Sequence, residues 1–529
     1  MWPTFLQLDS SISLNRREKR KKKKGKNSGE IMDFFWICIL LLTIAWFFMI
    51  SKTMPTTVSK LPPGPKPLPL IGNLLALGDS PHRSLANLAK SYGPIMTLKL
   101  GQITTVVVSS HAMAKQVLQT HDQFLSCRNV PDSMTAHNHE LFGLPWIPIS
   151  PLWRNLRRIC NTQLFAARIL DGNESLRREK VAELVSDITR CALKNEAVDF
   201  GKVGFVTSMN LLSNTIFSVD FVDPNSEIGR EFKVAVRGIM EEAARPNFGD
   251  YFPLLKKFDV QGIKKRQNVY FQRIFDVLEQ MIEERLVEQK NTCGSYMHKH
   301  DLLHYLLNLE NQDSDIKLGK IEFKHLLLVL FVAGTDTSSA ALQWTMAELL
   351  KNPQKLSKAQ EEIRRVIGKG NPVEESDISR LPYLQAVIKE SFRYHSPAPF
   401  LLPRKALQDV EISGFTIPKG AQVLVNLWCM GRDSSVWKNP EVFEPERFLE
   451  LEMEVKGRDF ELIPFGAGRR ICPGLPLAMR MLPLMLGSLI HFFDWKLQDG
   501  CRPEDVNMDE KLGLTVEMAY PLIAFPLLV

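Results

Sequence analysis

Apolar and polar residues alternate along the chain mainly with a helical period. The stretch HRSLANLAKSYG has its apolar residues on one helical face and predicts a helix that ends at Gly93. The same spacing predicts longer helices at 151–165, 176–193, 227–244, 263–290, 318–351, 354–367 and 382–395.

Strand patterns are short and few. The β-branched alternation in IMTLKLGQITTVVVSS predicts a β-hairpin that turns at Gly101 and Gln102. Further short strands are expected at 409–416 and 421–427. The sequence therefore predicts a mainly α fold with small β-sheets and not an alternating βαβ array.

Length and composition are those of a globular protein with a large core. The chain has 529 residues, of which 45% are hydrophobic and 24% charged. No internal repeat, low-complexity tract or Ser/Gly-rich linker follows residue 75, so we expect 76–529 to form one large domain. The eight cysteines form no CxxC or CxC pair, which argues against a zinc site and fits a reducing compartment.

The segment 34–50 carries no charged residue. Its length is at the short end of the roughly 17–25 residues that span a bilayer. A secretory signal peptide would have a shorter apolar region and a small-residue cleavage site, which the flank SKTMPTTVSK lacks. We expect a single transmembrane anchor over 32–52, followed by a stiff, extended, proline-rich connector over 53–75.

The net charge of +7 is concentrated at the N-terminus, chiefly in the basic run 15–26. Such a run can be a nuclear signal, a nucleic-acid patch or a solvated tail. Because nothing else in the chain resembles a nucleic-acid module, we expect no nucleic-acid partner.

The basic run also bears on membrane topology. Positive charge stays on the cytosolic side of a membrane, so this run would place the large domain in the lumen. If translation starts at Met32, the nearest basic residues are Lys52, Lys60 and Lys66, which keep the domain cytosolic. We therefore expect residues 1–31 to be a non-native or disordered extension that is absent from the functional protein.

The stretch PFGAGRRICPG, residues 464–474, places one cysteine in a rigid, basic loop. Arg469, Arg470 and the N-terminus of a helix that begins near Leu477 would stabilise a thiolate at Cys472. By composition alone, a buried structural cysteine beside an arginine pair fits equally well.

The full pattern of this loop narrows the choice. Phe465, Gly468, Arg470, Cys472 and Gly474 match F-x-x-G-x-R-x-C-x-G, which resembles the haem-binding loop of cytochrome P-450 enzymes. The resemblance implies that Cys472 is the axial ligand to the iron of haem b and that Arg470 pairs with a haem propionate. It implies cofactor contacts for Phe465 and Gly474, and the cytochrome P-450 fold for the domain.

The stretch FVAGTDTSSA interrupts an apolar helix with Gly334, Asp336 and Thr337. Taken by itself, it predicts a helix kink with a hydrogen-bonded threonine. The match to A-G-x-D-T-[TS] resembles the oxygen-activating helix of the same family. It implies that Thr337 hydrogen-bonds bound dioxygen and that Asp336 helps to relay protons to it.

Further patterns resemble propionate-binding positions of the family. Trp153 and Arg157 lie at i and i+4 of one helix, and Arg404 in PFLLPRK matches another position more loosely. The neighbouring Arg154 and Arg158 form either a solvated face or a surface that receives an acidic electron-donor protein.

The stretch KESFR contains Glu390 and Arg393 on one helix face, and PERF supplies Arg447. Glu-x-x-Arg alone is a common surface pair. Because Glu390, Arg393 and Arg447 follow one another in this order before Cys472, they resemble the family's buried carboxylate between two guanidiniums. The resemblance implies that these three residues have a structural and not a catalytic role.

The whole chain resembles plant microsomal enzymes of the geraniol 8-hydroxylase type, in segments such as FGLPWIPISPLWRNLR and LPYLQAVIKESFR. This implies hydroxylation of a monoterpenoid alcohol such as geraniol at an allylic methyl, with O2 as co-substrate. Electrons would come from NADPH through NADPH–cytochrome P-450 reductase, and the protein would be a single-pass endoplasmic reticulum protein with a cytosolic catalytic domain. Members of the family also oxidise other terpenoids, phenolics and xenobiotics, so these compounds are alternative substrates.

An apolar pocket would suit an isoprenoid chain. The residues expected to line it are Val130, Met134, Leu141, Phe142, Ala333, Phe400, Leu401 and Leu514. A packed hydrophobic core would equally explain why these positions are apolar.

Two features depart from the family. Tyr394 and Ser396 stand where relatives usually have Leu and Pro. Pro483 lies inside the helix after Cys472, where we expect a kink.

Two other classes of protein fit part of the pattern. A non-catalytic membrane haem protein would have no need of Asp336 and Thr337. A relative that rearranges peroxides, and needs neither reductase nor dioxygen, typically alters the threonine motif and the cysteine loop, and both are intact here. The sequence therefore favours a haem-thiolate monooxygenase.

Overall fold

The computed structural model describes residues 36–43, 46, 60–222, 227–291, 301–309, 318–498 and 500–529. The chain divides into two compact units, Met1–Ser59 and Lys60–Val529. In the first unit, residues 36–43 form a helix, α1. Apart from these and residue 46, the predicted anchor 32–52 lies outside the described residues, as does the whole extension 1–31.

The second unit is mainly helical, as predicted. Its helices are α2 (Pro81–Tyr92), α3 (His111–Lys115), α4 (Asp122–Leu125), α5 (His139–Phe142), α6 (Pro151–Ile159), α7 (Ala167–Gly172), α8 (Glu174–Lys194), α9 (Phe200–Phe217), α10 (Glu227–Ala244), α11 (Phe248–Tyr251), α12 (Ile263–Asn291), α13 (Leu302–Leu309), α14 (Lys320–Lys351), α15 (Pro353–Ile367), α16 (Pro382–Tyr394), α17 (Leu427–Met430), α18 (Arg447–Glu450) and α19 (Leu475–Phe492). A π turn, Cys160–Leu164, continues α6.

The strands form small sheets. They are β1 (Ile95–Leu100), β2 (Ile103–Val108), β3 (Cys127–Arg128), β4 (Val198–Asp199), β5 (Arg404–Lys405), β6 (Val410–Ile412), β7 (Phe415–Ile417), β8 (Gln422–Val425), β9 (Phe493–Leu497), β10 (Glu510–Leu512), β11 (Val516–Met518) and β12 (Ile523–Leu528). The largest sheet has the order β1-β2-β8-β5-β3, and a second has the order β4-β12-β9. Strands β6 and β7 pair with each other, and so do β10 and β11.

The predicted hairpin is confirmed, and one predicted strand is corrected. Strands β1 and β2 are antiparallel, with Ile95 opposite Val108 and Leu100 opposite Ile103. The strand expected at 409–416 is instead the hairpin β6–β7. Its turn residues Ser413 and Gly414 both have positive φ, 51° and 76°. That backbone makes the tight turn of a two-residue hairpin and ends the first strand.

Helix α9 was not predicted, because its buried residues surround the helix and leave no amphipathic period. It packs tightly on α14. A Cβ atom at Gly334 would lie 2.7 Å from Leu212 Cδ1, and one at Gly204 would lie 3.1 Å from Ser339 Cα. Gly334 therefore serves a close helix–helix approach, and α14 continues without a break through the stretch in which a kink was expected.

The proline-rich connector has no helix or strand over 60–67, turns at 69–71 and begins a 3-10 helix at Leu74, and it does not stand free. Thr97 of β1 donates its backbone N–H to the carbonyl of Pro63 (2.9 Å), and Thr416 donates to that of Lys60 (2.9 Å). A Cβ atom at Gly64 would lie 1.8 Å from the carbonyl oxygen of Thr97. This part of the connector therefore lies against the sheets of the domain.

Pro483 lies inside α19, and the helix nevertheless runs on from Leu475 to Phe492. Proline lacks one helical hydrogen bond, and burial of the apolar side chains that follow, from Leu484 to Ile490, offsets that loss.

Among the described residues, α14 and α19 are the helices long and apolar enough to cross a membrane. Their most apolar windows are 61% and 67% buried, so both are core helices of this unit.

Candidate active site

The loop 464–474 is shaped by two glycines. Gly466 and Gly468 have φ of 73° and 70°, in the region that only glycine adopts freely. A Cβ atom at Gly468 would lie 2.1 Å from the carbonyl oxygen of Leu118. Cys472 donates its backbone N–H to the carbonyl of Phe465 (3.0 Å), which closes the loop. Phe465 in turn meets Phe392 edge-on, with ring centroids 5.4 Å apart.

Cys472 lies at the N-terminus of α19. Gly474 caps this helix with an ordinary φ of −78°, so its glycine is not needed for the turn. Burial raises the pKa of the Cys472 thiol, while the backbone N–H groups of Gly474 and Leu475 and the guanidinium of Arg157 lower it. The helix end and Arg157 would therefore stabilise a thiolate once a metal ion binds the sulfur.

Three arginines converge beside this loop. Arg128 of β3 and Arg404 of β5 are directly opposite each other in the sheet. Burial lowers the pKa of Arg128, and the charges of Arg404 and Arg470 lower it further. Sequence reasoning missed Arg128, because a lone arginine in a two-residue strand belongs to no motif.

Arg470 completes this group, which we call the arginine cluster: Arg128, Arg404 and Arg470. Arg470 donates to the carbonyls of Ser126 (3.1 Å) and Ile147 (2.5 Å), and its guanidinium carbon lies 5.1 Å from the ring centroid of Trp153. Burial, followed by repulsion from Arg404, lowers the pKa of Arg470 to about 10.

Asp122 supplies negative charge to the arginine cluster. Its Oδ1 accepts from Arg404 Nη1 at 3.2 Å, and its Oδ2 pairs with Arg469 Nε at 3.2 Å. Arg128 donates instead to the neutral carbonyls of Pro145 (3.1 Å) and Leu402 (2.7 Å). One carboxylate thus faces several guanidiniums, and the excess positive charge fits a ligand with carboxylate groups.

The residues present therefore fit haem. Within the described ranges, no group of three or more His, Cys, Asp or Glu side chains is placed to hold a metal ion. A metal ion on Cys472 must then take most of its ligands from a cofactor, as the iron of haem does. The two propionates of haem match the excess charge of the arginine cluster, and Trp153 and Arg157 flank the same region.

The remaining candidate residues of the oxygen motif lie on α14. Thr337 donates its hydroxyl to the carbonyl of Ala333 (2.7 Å), which leaves the hydroxyl oxygen free to accept a proton or a hydrogen bond. Asp336 accepts from the hydroxyl of Thr515 (2.5 Å) through its Oδ2. Burial raises the pKa of Asp336, and the bond from Thr515 opposes that rise.

Glu390, Arg393 and Arg447 lie together, away from the cysteine. Arg393 donates from Nε and Nη2 to the two oxygens of Glu390 at 2.7 and 2.8 Å, and both side chains have zero exposure. Arg447 adds a contact of 3.1 Å to the same carboxylate. This charged triad joins α16 to α18.

The expected pocket residues do not all lie together. Val130, Met134 and Leu402 belong to the cluster of apolar side chains around Phe271 and Phe331. Phe142 stacks on His325 with ring centroids 5.2 Å apart, and Ala333 is exposed on α14.

The remaining expected residues lie elsewhere. Phe400 packs with the cluster around Met96 and Leu98, on the β1–β2 sheet. Leu401 lies 3.8 Å from the Cβ position of Gly466, against the cysteine loop. Leu141 is 58% exposed, and Leu514 is half-buried in the turn between β10 and β11.

Comparison with known proteins identifies the architecture. The cytochrome P450 family matches residues 62–521. The chain belongs to the cytochrome P450 family. Geraniol 8-hydroxylases of Catharanthus roseus and Swertia mussotii are each 50% identical to it, over 94% of this chain and 99% of the relative. A drimenol monooxygenase of Persicaria hydropiper is 48% identical, over 94% of this chain and 97% of the relative.

This P450 is therefore a monooxygenase with haem as its cofactor and O2 as its co-substrate. It takes electrons from a redox partner and acts on a hydrophobic substrate. Bound haem supplies the activation of dioxygen, from which one oxygen atom enters the substrate. The residues of this chain that would support this chemistry are Cys472, the arginine cluster beside its loop, and the hydroxyl and carboxyl groups of Thr337 and Asp336 on α14.

Proposed function

We propose that this P450 hydroxylates a small monoterpenoid alcohol, with geraniol at an allylic methyl as the first candidate. The observation that carries the proposal is the 50% identity to two geraniol 8-hydroxylases over nearly their whole length. The apolar side chains of Val130 and Met134, which belong to one cluster, are consistent with an isoprenoid substrate. The drimenol monooxygenase at 48% identity makes a larger terpenoid alcohol the second candidate.

Cofactor binding rests on the cysteine loop and the arginine cluster. Cys472 is the axial ligand in this proposal, supported by its place at the start of α19. Arg470, Arg404 and Trp153, together with Arg157, hold the propionates, and Arg128 joins them because it faces Arg404 across the sheet. Glu390, Arg393 and Arg447 are structural.

Proton delivery is assigned to α14. Thr337 accepts and donates hydrogen bonds next to the oxygen site, and Asp336 provides the proton that Thr337 passes on. Thr337→Ala should therefore lower the product formed per NADPH consumed, while the haem content stays at the wild-type level. Unchanged coupling would remove Thr337 from the mechanism.

Electrons are proposed to come from NADPH through NADPH–cytochrome P-450 reductase. Arg154 and Arg158 are exposed on α6, the helix that carries Trp153 and Arg157 next to the cysteine loop. Their positive charge would receive an acidic surface of the donor protein close to the haem.

A membrane location is supported by an exposed apolar surface. In 253–260, Leu254, Phe258 and Val260 are 71%, 75% and 64% exposed. Gln102, at the turn of the β1–β2 hairpin, donates its backbone N–H to the carbonyl of Tyr251 (2.9 Å), which fixes this segment on the sheet. We propose that this surface and the anchor hold the protein at the endoplasmic reticulum membrane, with the domain in the cytosol.

The proposed topology has a direct test. Asn173 begins an Asn-Glu-Ser acceptor sequence and is half-buried between α7 and α8. We expect no glycan there in plant or yeast microsomes, and a glycan would show that the domain lies in the lumen.

The proposed translation start at Met32 has a separate test. Mass spectrometry of the membrane-bound protein should find Met32 at its N-terminus, and peptides from 1–31 would contradict the proposed start.

The substrate test is a panel of terpenoids with the full-length enzyme, reductase and NADPH in microsomes. We expect geraniol to give a hydroxylated product that liquid chromatography and mass spectrometry detect, with the Thr337→Ala variant as the matched control. If drimane-type alcohols are turned over and geraniol is not, the second candidate replaces the first. If no terpenoid alcohol is oxidised, the substrate class is wrong.

A further inference from the structure

A second carboxyl group lies against Asp336 and belongs to no motif of the sequence. Glu517 is in the middle of β11 and follows Thr515 by two residues. Because Thr515 donates its hydroxyl to Asp336 at 2.5 Å and alternate side chains of a strand lie on one face, Glu517 lies on the face of β11 that meets Asp336. Two carboxyl groups can share a hydrogen bond only when one of them holds a proton. Because two neighbouring carboxylates repel each other, one member of this pair is expected to hold a proton.

The position of this pair is fixed by the neighbouring residues. Thr515 donates to Asp336, and Trp344 donates its indole N–H to the carbonyl of Val516 at 3.0 Å. Both bonds attach the start of β11 to α14. Glu517 follows Thr515 and Val516 along the chain, and Asp336 is adjacent in sequence to Thr337.

The pair also reaches the protein surface. Glu517 is half-buried, and its partner across the β10–β11 ladder is the exposed Lys511. Arg237 of α10, which is 75% exposed and paired with Glu241 at 3.0 Å, is the other charged group whose field acts on the pair. One side of Glu517 thus meets Asp336, and the other meets solvent and cations.

We propose that Glu517 is the entry point of the proton path, taking protons from solvent and passing them to Asp336. In each transfer the Glu517 carboxylic acid gives its proton to the Asp336 carboxylate, and a solvent hydronium ion reprotonates Glu517. Two such transfers per turnover provide the protons that the departing oxygen atom needs to leave as water. Glu517 is a positioning and relay residue, because it acts through Asp336 and does not touch the substrate.

The electrostatics of Glu517 suit this task. Burial raises its pKa to about 7, and the charge of Asp336 adds to the rise, while Lys511 and Arg237 oppose it. A group with a pKa near the working pH exchanges protons in both directions most readily. An ordinary exposed glutamate would be ionised and would have no proton to give.

The proposal has a test that does not depend on the substrate. The infrared spectrum of the ferric holoenzyme should contain a carboxylic acid C=O band that titrates within about one pH unit of neutrality. We expect this band to be absent in Glu517→Gln and unchanged in Glu504→Gln, where the glutamate is 62% exposed and pairs with Arg502. Lys511→Gln should move the titration to higher pH, because a cation that favours the ionised form is removed.

The second test measures how much product the enzyme forms per NADPH consumed. The inference rests on the proton role that is proposed for Asp336. With any substrate that is turned over, Glu517→Gln should lower product per NADPH by about 3-fold or more and raise the solvent isotope effect. Asp336→Asn should do the same. If Asp336→Asn uncouples the enzyme and Glu517→Gln does not, the role of Glu517 is refuted and that of Asp336 stands. A wild-type enzyme without a carboxyl band that titrates near neutrality would also refute the pair.

Discussion

Two buried groups of charged side chains lie in the same domain and differ in their balance. In the triad of Glu390, Arg393 and Arg447, the Glu390 carboxylate also accepts the backbone N–H of Glu444 (2.6 Å), and the Glu444 carboxylate pairs with Arg447 at 3.4 Å. Two guanidiniums therefore face two carboxylates. Every charge has a partner within the protein, so this group needs no ligand.

The arginine cluster has no such balance. Arg128, Arg404 and Arg470 face Asp122, and the rest of their hydrogen bonds go to backbone carbonyls. The pKa of each of the three is lowered, with burial as the main cause. A buried group of cations with unmet charge is stable only with an anion, so a balanced group marks structure and an unbalanced group marks a binding site.

The comparison predicts its largest effect at Glu390. Glu390→Gln leaves Arg393 and Arg447 buried without a full carboxylate partner. We expect the free energy of unfolding to fall by about 3–5 kcal/mol, measured by urea denaturation of the holoenzyme. Glu454→Gln is the matched control, because Glu454 pairs with Lys456 at 3.0 Å and the two side chains are 54% and 61% exposed. A loss at Glu390 no larger than that of the control would contradict the structural role.

The second prediction concerns Arg128. Arg128→Met removes one cation from the unbalanced cluster, so we expect haem to bind about 10–100-fold more weakly. The haem-free protein should lose little stability, because relief of the repulsion with Arg404 and Arg470 offsets the lost carbonyl bonds. Haem transfer to apomyoglobin measures the first quantity, and thermal unfolding of the haem-free protein measures the second.

Arg469 provides the control for this prediction. It also pairs with Asp122, but its side chain is 53% exposed. Arg469→Met should change haem affinity by less than about 3-fold. If Arg128→Met destabilises the haem-free protein and leaves haem affinity unchanged, the two groups of charges do not differ as described.

A third buried group carries no charge and extends the comparison. Nδ1 of His139 lies 2.8 Å from Nδ1 of His325, at the N-terminal half of α14. Burial lowers the pKa of both, that of His325 to about 4, and the charges of His137 and Lys324 lower the latter further. The hydrogen bond between the two rings requires at least one of them to be neutral.

This pair predicts a pH dependence of stability. Because the folded pKa is lowered, the unfolded chain binds protons more readily, and stability falls as the pH drops below about 6.5. For His325 we expect a loss on the order of 2 kcal/mol between pH 7 and pH 5, measured by urea denaturation. His325→Gln should flatten this dependence, and an unchanged slope would remove the pair as its cause.

The smallest effect is expected at Tyr394, which stands where the family usually has leucine. Its ring lies 4.1 Å from the guanidinium carbon of Arg432, and the ring of Trp428 lies 4.0 Å from the same atom. Arg432 therefore lies between two aromatic faces, and it also pairs with the Glu441 carboxylate at 3.4 Å. Tyr394→Leu should cost about 1 kcal/mol of unfolding free energy and leave haem affinity unchanged, with Tyr520→Leu, whose tyrosine is 60% exposed, as a comparison.

Much of the fold could be predicted from the sequence because most helices have one apolar face. The bounds of α10, α12 and α16 were predicted to within a residue or so. Helix α9 was missed because it is surrounded by other elements and has no single apolar face. The hairpin β6–β7 was merged into one strand because the positive φ of Ser413 is invisible in the sequence.

The residues of the candidate site likewise fall into those that the sequence could predict and those that it could not. Residues within motifs, such as Cys472 and Thr337, could be singled out because the motif spans a few positions. Arg128, Asp122 and Glu517 could not, because their partners are hundreds of residues away and only the folded chain brings them together. The kink expected at Pro483 stays a prediction, because α19 runs from Leu475 to Phe492 and a continuous helix can still bend at a proline.

The central claim is that Cys472 and the arginine cluster bind haem as a thiolate complex. The most direct test is the difference spectrum of the reduced, carbon monoxide-bound enzyme. The wild-type protein should show the Soret band of thiolate-ligated haem, and Cys472→Ala should lose it. A wild-type band at the position of histidine-ligated haem, in folded and haem-loaded protein, would contradict the account.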